Sequence, residues 1–215
     1  MEIIRNCNAD LNSGGKTMKY INQLEYQDWL YVTRTAMDGE GAEKGRTTTI
    51  RSSGCGLCSA VMVADQLLPN CDFELKDAIK LSYESGANHM IGTDYKRFAP
   101  AFADKCNLKL EMTKEPERLR CCLRTGGAAV LHIKGDRDGY VGVFSHKGHY
   151  VVAISEESDG RIAILDPSLK IGKYEEEGRN GLVELKNDVI ALCDMHTIIQ
   201  DTLPANPAFY LFWRK

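Results

Sequence analysis

The chain has 215 residues, of which 43% are hydrophobic, and a formal net charge of -3. This composition suits one domain with a sizeable core, and the slightly acidic balance argues against nucleic acid or an anionic membrane as a partner. Because no apolar run approaches the length of a membrane span and the first residues lack a signal-peptide pattern, we expect a soluble, cytoplasmic protein.

The first part of the chain is polar. Residues 1–19 are rich in Asn and Gly, which predicts a poorly ordered leader, and a single domain is predicted over 20–215. The stretch 33–47 carries glycines among charged residues and predicts a long surface loop.

A cysteine stands at the predicted start of the first helix. After Cys55, apolar residues recur at helical spacing as far as Leu68. Ser52 and Ser53 are favourable N-cap residues, and Pro69 ends the run. The first N–H groups of a helix have no partner within it, and the helix dipole favours an anion there. Because the thiolate is the reactive form of cysteine, this position makes Cys55 a candidate nucleophile.

Later elements follow in two blocks. Helical spacing of apolar residues predicts further helices over 73–83, 95–105 and 115–123. Buried-strand patterns predict strands over 128–133, 149–154, 161–166 and 209–213. Helices first and antiparallel strands later is the order typical of the α+β class, which is the predicted fold class.

A hairpin is predicted around 156–160, which contains an Asp-Gly pair suited to a turn. With the turn centred on Glu157 and Ser158, His149 is expected to face Asp166 directly. Directly opposed side chains lie on one face of a sheet, with Cβ atoms about 4.5–5.5 Å apart. Such a pair is either a general base oriented by a carboxylate or an ordinary cross-strand ion pair, and the helix-terminal cysteine favours the first interpretation.

Other cysteines and histidines compete for these roles. Cys58 lies one helical turn beyond Cys55 and is interpreted as a packing residue or a resolving thiol. The Cys-x-x-Cys spacing is compatible with zinc or with thioredoxin-type redox chemistry, but the sequence has no second such pair and no strand before the first. His146 is the alternative base, and His132 is interpreted as a core residue. The remaining cysteines are expected to be free structural thiols: Cys7, Cys71, Cys106, Cys121, Cys122 and Cys193.

Together these motifs resemble a papain-like cysteine peptidase. The matching segments are Gly54-Cys55-Gly56, Ser59-Ala60-Val61-Met62, Gly148-His149-Tyr150-Val151-Val152 and Asp166-Pro167. They are similar to peptidase family thirty-nine, the bacteriocin leader peptidases and their stand-alone relatives, over about 23–167. The resemblance implies a papain-like fold in which a helical lobe carries the nucleophile helix and packs on an antiparallel sheet lobe.

The resemblance also assigns roles to individual residues. It implies that Cys55 is the nucleophile, His149 the base and Asp166 the carboxylate that orients the base, in the chain order of the family. It therefore completes a Cys-His-Asp triad from residues that the patterns above had already singled out.

The family uses a glutamine upstream of the nucleophile as an oxyanion donor. In the transporter-linked members it stands a few residues before the cysteine, but here 47–53 contains no glutamine. The stand-alone relatives carry it further upstream, in a segment similar to Asn22-Gln23-Leu24-Glu25-Tyr26. Gln23 is therefore the candidate donor, with Gln27 as the second choice, and the backbone N–H of Cys55 would supply another donor.

The expected activity is hydrolysis of a peptide or amide bond through an acyl-enzyme, with a peptide or protein as the substrate and no metal or cofactor. Two alternatives stay open. The same chemistry supports acyl transfer to an amine by an acyltransferase or transamidase, and a papain-like module without activity would bind peptides in the same groove.

Overall fold

Helices and antiparallel strands make up the fold. The computed structural model describes residues 2–10, 17–31, 48–68, 70–88 and 92–215, so the predicted loop over 33–47 lies outside the described residues. The helices are α1 (Ile50–Ser53), α2 (Cys55–Leu67), α3 (Leu75–Glu84), α4 (Tyr95–Lys105), α5 (Pro116–Arg124) and α6 (Met195–Thr202), with a 3₁₀ turn at Gln23–Glu25. The strands are β1 (Cys7–Asp10), β2 (Thr17–Tyr20), β3 (Leu108–Thr113), β4 (Ala128–Ile133), β5 (His149–Glu156), β6 (Ile162–Leu165), β7 (Val183–Lys186), β8 (Ile190–Cys193) and β9 (Phe209–Arg214).

Of the described strands, seven form one antiparallel sheet in the order β3-β9-β4-β5-β6-β8-β7. The predicted helices after Cys55 and the four predicted strands are confirmed as α2 to α5, β4, β5, β6 and β9. The sequence analysis did not predict the remaining elements, which are α1, α6, β1, β2, β3, β7 and β8. The fold is thus a mixed structure of helices and antiparallel sheet.

The helix that begins at Cys55 packs against the centre of the sheet. Nearly every residue of α2 from Gly56 to Leu67 is buried, and the helix contacts β4 and β5. The Ser59 hydroxyl donates to the carbonyl of Tyr150 at 3.3 Å, which ties the second turn of α2 to β5. Because α5 also packs against β4 and β5, these strands are buried along almost their whole length. The packing fixes the N-terminus of α2 beside the first residues of β5.

The predicted register of the β5–β6 hairpin is wrong. A three-residue loop closes the hairpin, with the N–H of Glu157 donating to the carbonyl of Arg161 at 2.8 Å and Gly160 at φ +84°. A β-bulge then shifts the register between Ala153 and Ser155. The last pair in the ladder is Val152 with Leu165, so His149 and Asp166 are not directly opposed as predicted.

The N-terminal residues are attached to the body of the fold. β1 and β2 pair with each other, and Ile3 forms a β-bridge with Lys170. The Asn22 side chain donates to the carbonyls of Ile4 (2.6 Å) and Leu169 (2.7 Å). The structure therefore describes hydrogen-bonded segments within 1–19, while the division of the chain at residue 19 stays a prediction.

None of the helices among the described residues is both long enough and apolar enough to cross a bilayer.

Candidate active site

The candidate nucleophile lies at a break between two helices. α1 ends at Gly54 (φ -93°, ψ 6°), and α2 begins at Cys55. A Cβ atom at position 54 would lie 2.7 Å from Cγ2 and the carbonyl oxygen of Ile50, so the turn has no room for a side chain. The Gly54 carbonyl accepts from the N–H of Leu57 at 3.0 Å, as the first acceptor of α2. The N–H groups of Cys55 and Gly56 precede that first bond, at the end of the helix where the dipole favours negative charge.

The environment of the Cys55 thiol favours the thiolate. The side chain is half-buried, and burial alone would raise the pKa of the thiol. The hydrogen bond with His149, the positive charge of that imidazole, and the N–H groups of Tyr150 and Gly56 outweigh burial, so the pKa of Cys55 lies below its ordinary value. The interactions that stabilise the thiolate thus come from both the helix and the first residues of β5.

His149 is the first residue of β5 and is buried. Its Nε2 lies 2.8 Å from Oδ1 of Asp166 and 3.0 Å from Oγ of Ser168, so Nδ1 is the ring nitrogen that remains for another partner. Burial alone would lower the pKa of His149, but the Asp166 carboxylate and the Cys55 thiolate outweigh it and raise the pKa to about 9. The imidazole is therefore protonated at neutral pH when the thiolate is present.

Asp166 directly follows β6 and is completely buried. Its Oδ1 accepts from Nε2 of His149 and from the N–H (2.9 Å) and Oγ (3.1 Å) of Ser168. Its Oδ2 accepts from Nζ of Lys173 at 2.5 Å and from the hydroxyl of Tyr174 at 2.8 Å. Burial alone would raise the pKa of this carboxyl, but the charges of Lys173 and His149 and these hydrogen bonds hold it well below its usual range.

Sequence reasoning missed three of these partners. Ser168, Lys173 and Tyr174 lie in the polar stretch after β6, whose composition is typical of an exposed loop. Their nearness in sequence to Asp166 was the one available signal, because a buried carboxylate needs donors close at hand. The hydroxyl of Tyr20, on β2, also donates to the Asp166 carbonyl at 2.7 Å.

Gln23 contacts both the segment that follows Asp166 and the helix that precedes Cys55. Its N–H donates to the carbonyl of Pro167 at 2.7 Å, and its Nε2 donates to the carbonyl of Arg51 at 2.8 Å. Arg51 is the i−4 residue relative to Cys55, so the amide of Gln23 lies at the carbonyl that the Cys55 N–H would use in a continuous helix. The side chain is buried, whereas Gln27 is exposed. The structure therefore places the side chain of Gln23 at the junction between α1 and α2, next to the candidate nucleophile.

The rival residues lie in different surroundings. Cys58 is completely buried, and burial followed by the charge of Cys55 raises the pKa of its thiol well above the ordinary value. His146 is on the surface between Asp136 and Glu176, at 2.9 and 3.3 Å. Cys58 therefore lies in the core, and His146 pairs with surface carboxylates rather than with Cys55 or Asp166.

His132 is partly buried, and its ring is stacked on Tyr150 at a centroid separation of 4.8 Å. Burial and then the charge of Lys134 lower the pKa of His132 to about 4, so this histidine is neutral. No group of three or more His, Cys, Asp or Glu side chains within the described ranges has a geometry that could hold a metal ion.

A second buried carboxylate holds the segment that leads to His149. Asp201, on α6, accepts from the N–H groups of Val143 (2.7 Å) and Phe144 (2.8 Å) and from the hydroxyl of Tyr140 (2.7 Å). Burial raises the pKa of Asp201. Since the donors are backbone groups and a phenol, this carboxylate fixes the path of the loop between β4 and β5.

No protein-family model matches the chain, and no curated protein matches it. Among solved structures, the chain is similar to the crystal structure of a "putative C39-like peptidase from Bacillus anthracis", with 14% sequence identity and a TM-score of 0.49. The similarity covers 75% of this chain and 89% of that chain.

Proposed function

We propose that this protein is a cysteine peptidase of papain-like fold, which hydrolyses a peptide or amide bond through Cys55, His149 and Asp166. The observation that carries the proposal is a helix-terminal thiol whose pKa is lowered chiefly by His149, an imidazole that binds a buried carboxylate through Nε2. The position of that thiol on a helix packed against an antiparallel sheet, with the histidine on the sheet, supports the papain-like assignment.

The first half of the reaction forms a thioester. The Cys55 thiolate attacks the carbonyl carbon of the substrate, and the carbonyl oxygen becomes an oxyanion. When the C–N bond breaks, the leaving amine takes the proton of the His149 imidazolium, so the histidine becomes neutral. Asp166 holds the imidazole in the orientation this transfer needs and stabilises its protonated form.

The second half regenerates the enzyme. Neutral His149 accepts a proton from water, and the resulting hydroxide attacks the thioester carbon. The C–S bond then breaks, which releases a carboxylic acid and restores the thiolate–imidazolium pair. An amine in place of water would instead form a new amide, which is the acyl-transfer alternative.

Two donors are proposed to hold the oxyanion. The N–H of Cys55 is at the start of α2, ahead of Leu57, whose N–H is the first to donate within the helix. The amide of Gln23 has two N–H bonds, and its contact with the Arg51 carbonyl uses one of them. The second N–H is the one proposed to donate to the oxyanion.

Selective alkylation tests the nucleophile. At pH 6, iodoacetamide is expected to modify Cys55 at least about tenfold faster than the exposed Cys71 and Cys121, because the imidazolium of His149 stabilises the thiolate of Cys55. Peptide mass mapping after short exposures gives the rate at each cysteine.

Two variants serve as controls for the alkylation measurement. His149→Gln should abolish the advantage of Cys55, since the imidazolium is the strongest favourable partner of the thiolate. Cys58→Ala should leave it unchanged. A Cys55 rate equal to those of the other cysteines in the wild type would refute the nucleophile assignment and the proposed function with it.

Gln23→Ala separates oxyanion binding from thiolate formation. Removing one oxyanion donor typically costs about 10²–10³-fold in kcat, so cleavage of any peptide that the wild type accepts should fall by that amount. Alkylation of Cys55 should keep its rate, because displacement of iodide forms no oxyanion.

The matched control is Gln27→Ala, in which an exposed amide is removed four residues away. If Gln27→Ala lost activity and Gln23→Ala kept it, the donor would be Gln27.

A further inference from the structure

A lysine is buried behind the candidate triad. Lys173 is 5% exposed, and its Nζ lies 2.5 Å from Oδ2 of Asp166 and 2.8 Å from Oγ of Ser168. Ser168 also contacts Nε2 of His149 at 3.0 Å, so the ammonium and the imidazole share the same carboxylate and the same hydroxyl. The two cations bind different oxygens of Asp166.

None of the charged residues described next to Lys173 is placed to bind Asp166 in its stead. Arg179 and Lys170 both pair with Glu176, at 2.7 Å each. Burial raises the pKa of the Tyr20 and Tyr174 phenols well above the ordinary value, and the charge of Asp166 raises it further, so both are neutral donors. Among the described residues, the charged groups that act on Lys173 or His149 include Asp166, Cys55, Arg179 and Lys170, and the Tyr20 and Tyr174 hydroxyls donate to Asp166 itself.

Stability alone is a weak reason for this arrangement. Burying a charged pair costs about as much desolvation free energy as the attraction returns, and apolar residues of the same volume are often as stable. Buried charges that perturb one another are concentrated at functional sites.

We propose that Lys173 is a positioning residue of the triad, whose ammonium offsets part of the Asp166 charge so that His149 can release its proton within the catalytic cycle. The proposal rests on the proposed function, because it concerns the acid and base steps of His149. A group that must both give and accept a proton works best when neither its protonated form nor its neutral form is stabilised too strongly. Asp166 without Lys173 would act on the imidazolium with its full charge, in a buried site where charges are poorly screened.

The test is the titration of His149 in Lys173→Met. The ring Cε1–H signal, assigned by its loss in His149→Gln, is followed by NMR against pH. The pKa of His149 is about 9 in the wild type and is expected to rise by about one pH unit in Lys173→Met. The pH at which Cys55 alkylation reaches half its maximum should move in the same direction, because the site as a whole loses one positive charge.

The sign of the shift distinguishes this role from a structural one. If Lys173 merely held Asp166 in place, its removal would loosen the contact with His149, and the pKa of His149 would fall. Lys173→Arg, which keeps the charge, should restore the wild-type titration. Lys170→Met, the same substitution at a lysine that pairs with Glu176, should leave it unchanged.

Lys173→Gln gives a second neutral variant if Lys173→Met does not fold, because an amide can still donate to Asp166. A pKa of His149 that falls or stays constant in the neutral variants would overturn the role of Lys173 while leaving the triad in place. A wild-type Cys55 without selective alkylation would instead overturn the proposed function.

Discussion

Cys55→Ala is expected to abolish peptide cleavage while the protein stays folded. Removal of a triad nucleophile lowers turnover by about 10⁴-fold or more, because the remaining groups can only bind and polarise the substrate. The fold should tolerate the change, since Cys55 is half-buried at the first position of α2, where alanine is a good helix former. Peptides from a proteome digest, incubated with each variant and searched for new termini by mass spectrometry, provide the measurement without a known substrate.

Cys58→Ala is the matched control for that experiment. Both cysteines are on α2 one turn apart, but the Cys58 thiol is buried in the core and its pKa is raised well above the ordinary value. Cleavage should therefore persist in Cys58→Ala, with a small loss of stability from the cavity. Cleavage that survived in Cys55→Ala, or that disappeared in Cys58→Ala, would contradict the assignment.

The helices of this fold could be predicted because their signals are local. Helical spacing of apolar residues and the Gly-Cys-Gly turn placed the start of α2 at Cys55, and the other predicted helices were recovered to within about two residues. β3 and β7 are partly exposed, so they lack the continuous apolar run of a buried strand, and β8 is buried but has only four residues. None of the three therefore shows the buried-strand pattern over a length that marks a strand.

The relation between His149 and Asp166 could not be predicted in detail. The three-residue loop alone would place Asp166 opposite Val152, on the other face from His149. The bulge adds one residue to β5 and moves Asp166 opposite Val151, on the same face as His149 and two positions away. The prediction thus missed both the length of the loop and the bulge, and together these two errors still leave His149 and Asp166 on the same face of the sheet. Nothing in the residues around Ile154 marks the bulge.

The residues that bind the Asp166 carboxylate could not be predicted from local sequence patterns either. Lys173 and Tyr174 lie among charged residues, and lysine is rarely buried, so composition predicts exposure for both. Their burial follows from the return of this loop against Asp166, which is a property of the tertiary fold.

Asp166→Ala is expected to destabilise the folded state by about 3–5 kcal/mol. The substitution removes the acceptor of five hydrogen bonds and leaves the buried Lys173 without its charge partner. The lysine must then stay charged without a partner or release its proton, and both outcomes cost free energy. Urea denaturation at pH 7 measures the loss.

The double variant Asp166→Ala/Lys173→Met identifies the cause. Removing the unpaired ammonium should recover at least about 1 kcal/mol relative to Asp166→Ala, because coupled buried charges are not additive. Equal stability of the single and double variants would show that Lys173 is not the buried charge responsible, and the loss would then belong to the hydrogen bonds of Ser168 and Tyr174.

The difference in free energy of unfolding between wild type and Asp166→Ala is expected to depend on pH in the acid range. The pKa of Asp166 is depressed in the folded state and is about 3.9 in an unfolded chain. Below pH 4 the unfolded state therefore binds more protons than the folded state, and the stability that Asp166 contributes is lost as the pH falls. Wild type should exceed Asp166→Ala by a smaller free energy of unfolding at pH 3 than at pH 5. A difference that persisted unchanged at pH 3 would mean that the carboxylate charge is not what stabilises the site.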